Sequence, residues 1–125
     1  MKAIIETPTF LASAREVGLS EEFRAFIVET IANDPMMGDV MAGTGGCRKS
    51  RFAGRGKGKR GGYRTVHYNG ADDVPVLLLV VLDKGDKDNL SQSERNELRK
   101  SLQAYEAEYR AGVAAKVTQR SGDTD

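Results

Sequence analysis

Val74 to Leu82 is apolar at nearly every position, and this run constrains the fold more than any other feature of the chain. It is less than half of what a membrane-spanning helix needs. Its β-branched and leucine content, bounded by turn residues, predicts a central strand buried on both faces. Pro75 is compatible with that only at the strand's first residues. A buried strand needs neighbours and a cover, and the rest of the sequence supplies both. Lys2 to Glu6 reads as a short opening strand. Thr7 and Pro8 give a capping hydroxyl and a proline at the first helical position. Phe10, Leu11, Ala14 and Val17 then share one helical face, and Gly18 ends the helix. Ser20 caps a second helix with Glu21 and Glu22 in its first turn. Leu19, Phe23, Phe26, Ile27, Thr30 and Ile31 form its buried stripe. Asn33-Asp34-Pro35 stops it.

Met36 to Gly46 reads as a glycine-rich connecting loop. Strands follow at Cys47 to Phe52 and Gly62 to Asn69, and Asn69-Gly70 starts a tight connection into the apolar run. Ser91 with Glu94 is a capping box opening a last helix, whose narrow stripe is Leu98, Leu102, Tyr105 and Tyr109. The order strand, two helices, three strands, helix predicts an α+β fold. It is a small antiparallel-rich sheet with the N-terminal helical hairpin packed on one face, plus a C-terminal helix. The other face is left as a concave surface carrying the basic residues of two neighbouring strands. Residues 1–115 read as one domain and 116–125 as a polar, frayed tail.

The 125-residue chain carries a formal net charge of only +1, with the charge unevenly placed. Eight of its 19 basic residues (Arg48, Lys49, Arg51, Arg55, Lys57, Lys59, Arg60 and Arg64) fall in one stretch without an acid, leaving 11 against all 18 acids elsewhere. A segregated positive zone is a footprint for a polyanion. Glycines interleaved at 54, 56, 58, 61 and 62 let the backbone approach a phosphate closely.

Other chemistry is thinly represented. The lone Cys47 forms no internal disulfide, and neither a metal cluster nor a cofactor motif is present. Met1 to Glu6 is too short for a secretory apolar region, which points to the cytoplasm. Gly43 to Ser50 approaches phosphate-loop spacing, but Arg48 occupies the required second glycine. Gly56-x-Gly58-x-x-Gly61 precedes a strand where a dinucleotide loop needs a helix. His67, the only histidine, reads first as a core or edge residue and second as a candidate acid–base group.

The cations are the stronger candidates. In RNA cleavage the 2′-hydroxyl attacks the adjacent phosphate, and fixed cations stabilise the charge that builds on the phosphoryl oxygens. Alternation puts Lys49 and Arg51 on one face of their strand, Arg64 begins the next, and Lys84 and Lys87 follow the buried strand. A lysine among cations has its pKa pushed down and can act as a base.

Three blocks carry a family resemblance: Gly43-Thr44-Gly45-Gly46-Cys47-Arg48-Lys49, Gly58-Lys59-Arg60-Gly61-Gly62-Tyr63-Arg64, and Asp83 to Ser91. They resemble the HigB-type branch of the RelE/ParE toxins, with matching element order over about residues 3 to 110. The resemblance implies a toxin of a type II toxin–antitoxin pair that inhibits translation by cleaving messenger RNA on the ribosome. It implies a catalytic set of Lys49, Arg51, Arg64 and Lys84. Arg48, Arg55, Lys57, Lys59, Arg60 and Lys87 are the expected RNA-binding residues. The expected partners are a cognate antitoxin with a helix-turn-helix domain, the ribosome and mRNA, with no membrane and no cofactor. Cys47, Ser50, His67 and Asn89 depart from the family pattern and leave the acid–base pair open. Two alternatives stand beside this reading: a ParE-like toxin that poisons gyrase, and a non-catalytic RNA-binding module.

Overall fold

Thr7 ends the first strand and starts the first helix through a single side chain. Its hydroxyl accepts from Phe10 N at 3.1 Å and donates to Leu78 O at 2.7 Å, tying the cap to the sheet. In this computed structural model the described residues are 1–53, 62–83 and 90–123, with side chains described through 114. The elements are β1 (Ile4–Glu6), α1 (Pro8–Glu16), α2 (Glu21–Asn33), β2 (Asp39–Val40), β3 (Cys47–Ala53), β4 (Gly62–Tyr68), β5 (Val76–Asp83) and α3 (Gln92–Asp123). Ser20 caps α2 through Phe23 N, and Glu94 and Ser91 close the capping box of α3 reciprocally. Helix α3 continues past Ala115 to Asp123.

The five strands order as β1-β5-β4-β3-β2, parallel for β1–β5 and antiparallel elsewhere. The apolar run lies inside the sheet, as its composition demands, with Pro75 just ahead of the first ladder residue. Strand β1 stops at Glu6, and α1 takes over beside β5: Val81 N donates to Ser13 Oγ at 3.0 Å. The β4–β5 register passes from Val66↔Val80 to His67↔Leu78, so Leu79 is the extra residue of a bulge. A bulge breaks strict alternation. Leu79 and Val80, adjacent in sequence, therefore both join the same apolar cluster.

Two cores result. Phe10, Ala14, Phe23, Ile27 and Ile31 of α1 and α2 pack on Phe52, Tyr63, Val76, Leu78 and Val81. Each side chain fully buried there contributes roughly 1.5–3 kcal/mol of transfer free energy. On the opposite face Leu98, Leu102 and Tyr105 of α3 meet Met41, Cys47, Val66, Tyr68 and Leu77. The second sheet face, expected to be left as a concave surface carrying the basic residues, is covered at one end by α3. Polar contacts fasten α3 there. Glu106 accepts from the Tyr68 hydroxyl and from Ala71 N, and Arg110 holds both Asp73 oxygens at 2.7 and 2.8 Å.

The Gly43–Gly46 block is part of this docking. Buried Thr44 donates to Met41 O at 2.6 Å and accepts from Cys47 N, closing a turn with φ values of 80°, 79° and 141° at Gly43, Gly45 and Gly46. A Cβ on Gly46 would stand 3.0 Å from Asn69 O and from the Tyr68 ring. This motif builds a turn under α3 and β4. Among the described residues no helix is long and apolar enough to cross a membrane.

Candidate active site

Phe52 points into the α2-facing core, where its ring meets Phe26 edge-on. Alternation along β3 therefore sends Cys47, Lys49 and Arg51 to the opposite face. The same logic on β4 puts Tyr63, Thr65 and His67 toward the helical hairpin and Arg64, Val66 and Tyr68 away from it. The register sets Arg51 directly opposite Arg64 and Lys49 opposite Val66. Since α3 sits over the Cys47 and Tyr68 end, the cations occupy the end that α3 does not cover. Arg51 is exposed there, with Lys49 and Arg64 half-buried.

These residues share a concavity of 190 Å³, lined by Asp39, Lys49, Ser50, Arg51 and Arg64. Asp39 was not legible as a site residue, and the sequence offered no evident carboxylate beside the basic strands. It enters through β2, a two-residue strand inside the expected loop, paired Asp39↔Lys49 and Val40↔Arg48. Two further residues place it. Gly38 has φ 87°, and a Cβ there would lie 2.4 Å from Ser50 Oγ and 2.5 Å from Lys49 O, so only glycine lets the chain pass this close to β3. Arg48 donates to Met36 O at 2.7 Å and Gly38 O at 3.2 Å, fixing the segment that leads into Asp39. Arg48, expected among the RNA-binding residues, thus lies apart from the cationic concavity and holds its rim.

His67 lies on the face away from Lys49, Arg51 and Arg64, with Arg48 as its cross-strand partner. Its side chain has no exposed surface and lies under the end of α2, with Nε2 2.9 Å from Pro35 O. A carbonyl can only accept, so Nε2 carries the proton and Nδ1 is the unprotonated nitrogen. Burial holds its pKa below the ordinary 6.5. Cys47 is likewise inert, buried with its thiol pKa raised by that burial. Of the remaining sequence candidates, Arg55, Lys57, Lys59, Arg60, Lys84 and Lys87 lie outside the described residues.

An Arg–Arg–Lys cluster with one carboxylate lining the same hollow is suited to a phosphate diester. Bidentate guanidinium donors match its two oxygens, and the carboxylate can take a proton. Fold and site together define a small α+β protein with a cationic cluster on one sheet face. Residues 2–121 match the family described as the RelE toxin of the RelE / RelB toxin-antitoxin system, and the chain belongs to that family. It is the toxin of a toxin–antitoxin system.

Proposed function

We propose that this toxin is an endoribonuclease that cuts messenger RNA on the ribosome and is neutralised by a cognate antitoxin chain. The observation that carries the reading is the shared concavity of Asp39, Lys49, Arg51 and Arg64 on the uncovered end of the sheet. The 2′-hydroxyl of one nucleotide attacks the neighbouring phosphorus, and its proton passes to the Asp39 carboxylate. The bond to the 5′-oxygen breaks, that oxygen takes a proton from water, and the products are a 2′,3′-cyclic phosphate and a 5′-hydroxyl. Arg51, Arg64 and Lys49 stabilise the charge on the phosphoryl oxygens, where one well-placed donor is worth about 10²–10³ in rate. Lys84 joins this set in sequence terms, directly after β5. Arg55, Lys57, Lys59, Arg60 and Lys87 supply attraction to the RNA backbone, which is salt-dependent by nature.

The same geometry supports dependence on the ribosome. A hollow of 190 Å³ has room for a phosphate group but offers little surface with which to bend a flexible strand into line for attack. In-line alignment contributes several kcal/mol when it is imposed, and a ribosome presenting the strand already kinked supplies it. Growth arrest on induction, with mapping of RNA 5′ ends, tests the reading. Wild-type protein should arrest growth and generate new ends within codons. Arg64→Ala should fold and do neither, and Arg64→Lys should restore only part of the effect because the planar fork is lost. An Arg64→Ala protein that retains full toxicity would remove the site from this role.

A further inference from the structure

Three buried polar atoms on the helix-facing side of the sheet have no hydrogen-bond partner among the described residues: Ser50 Oγ, Thr65 Oγ1 and His67 Nδ1. Ser50 is 6% exposed, and Thr65 and His67 are fully buried. The three belong to one patch. On this face β3 presents Arg48, Ser50 and Phe52, and β4 presents His67, Thr65 and Tyr63 directly across from them. Phe52 and Tyr63 bound the patch at one end as members of the α2-packed core. The segment after α2 bounds it at the other, where Arg48 holds Met36 O and Gly38 O and His67 Nε2 meets Pro35 O. Native interiors leave few buried polar atoms unpaired, and three at neighbouring positions call for a shared partner.

We propose that one buried water molecule occupies this seam and joins His67 Nδ1 to the hydroxyls of Ser50 and Thr65. The balance of donors and acceptors fits a water. Because Nε2 gives its proton to Pro35 O, Nδ1 carries a lone pair and needs a donor. Each hydroxyl has a proton to give and lone pairs to accept with. A water that donates to Nδ1 and accepts from both hydroxyls has three partners, the usual number for a buried water.

Other occupants fit less well. None of the three atoms bonds to another, so direct pairing does not satisfy them. A cation would find two neutral hydroxyls and a neutral ring, with the Arg48 charge facing His67 across the ladder. An apolar group would leave all three atoms unpaired. The water also has a structural consequence. By donating to Nδ1 it fixes the tautomer of His67, and so secures the bond that ties Pro35 to β4.

A high-resolution crystal structure of the full chain tests the site first. One water peak should lie about 2.7–3.2 Å from Nδ1 and from both hydroxyl oxygens. Oxygen-17 relaxation dispersion, which counts long-lived internal waters, reads the same site in solution. A variant combining Ser50→Ala with Thr65→Val should lose the contribution of one water, whereas Thr30→Val on the outer side of α2 should lose none. Nitrogen-15 spectra of the wild type should show His67 protonated at Nε2 and hydrogen-bonded at Nδ1. Hydroxyls bonded directly to Nδ1 in the crystal, or no peak in the seam, would overturn the proposal without recourse to any variant. An ion in place of the water, or an unchanged dispersion in the folded double variant, would overturn it as well.

Discussion

Arg51 and Arg64 stand directly opposite each other in the β3–β4 ladder, on the face that also carries Lys49. Like charges at directly opposed positions cost stability, by a few tenths to about 1 kcal/mol. A scaffold selected for stability alone would not place them so. Arg51→Thr, a good strand residue, should leave the melting temperature unchanged or slightly raised. It should lower RNA cleavage by about 10²–10³. Thermal denaturation and cleavage assays on the same preparation check both halves.

Asp39 sits on a two-residue edge strand and is exposed, so its side chain contributes little to folding. Asp39→Asn should keep the fold and reduce cleavage by about 10²–10⁴, the range for losing a general base. Gly38→Ala should give a similar loss by another route. At φ 87° with Ser50 Oγ 2.4 Å from the added carbon, β2 must move away from Lys49. An Asp39→Asn enzyme with wild-type rate would show that another group accepts the proton.

His67 gives a prediction about pH. Its folded-state pKa lies below 6.5 because burial disfavours the charged ring. As pH falls through 6.5 the unfolded chain takes up the proton first, so stability is full above that value and declines below it. The melting temperature should fall between neutral pH and pH values below 6, and His67→Gln should flatten that decline. Because the ring lies on the face away from the cations, the same variant should cut RNA as wild type does.

Two glycines should respond oppositely to alanine. Gly46→Ala forces a side chain onto φ 141° and within 3.0 Å of Asn69 O and Tyr68, and should cost about 1–3 kcal/mol. Gly112 lies within α3 with open space around it, so Gly112→Ala should stabilise by roughly 0.5–1 kcal/mol. Denaturant unfolding of the two variants measures the difference.

Local chemistry made most of the fold readable. The Thr7, Ser20 and Ser91 caps, the apolar run and the 62–68 strand are each specified by a few neighbouring residues, and all are present. Alternation put Lys49 and Arg51 on one face of their strand, whereas the place of Arg64 opposite Arg51 comes from the β3–β4 register. What could not be read depends on long-range packing. The docking of α3 on the second sheet face needs Met41, Thr44 and Tyr68 to come together from separate elements. Strand β2 carries no periodicity, since two residues define none, so Asp39 and Gly38 were hidden inside a loop, and nothing in the Cys47 to Phe52 strand marked Arg48 as their support. The bulge at Leu79 was hidden as well, because an apolar run looks the same in either register.

Mapping of RNA 5′ ends in a purified translation system tests the central claim most directly, with one message presented either free or on programmed ribosomes. Wild-type toxin should cut ribosome-bound message at defined positions within codons and leave free message nearly intact, and Arg64→Ala should cut neither. Equal rates on free and ribosome-bound message would contradict the account and point to a self-sufficient nuclease.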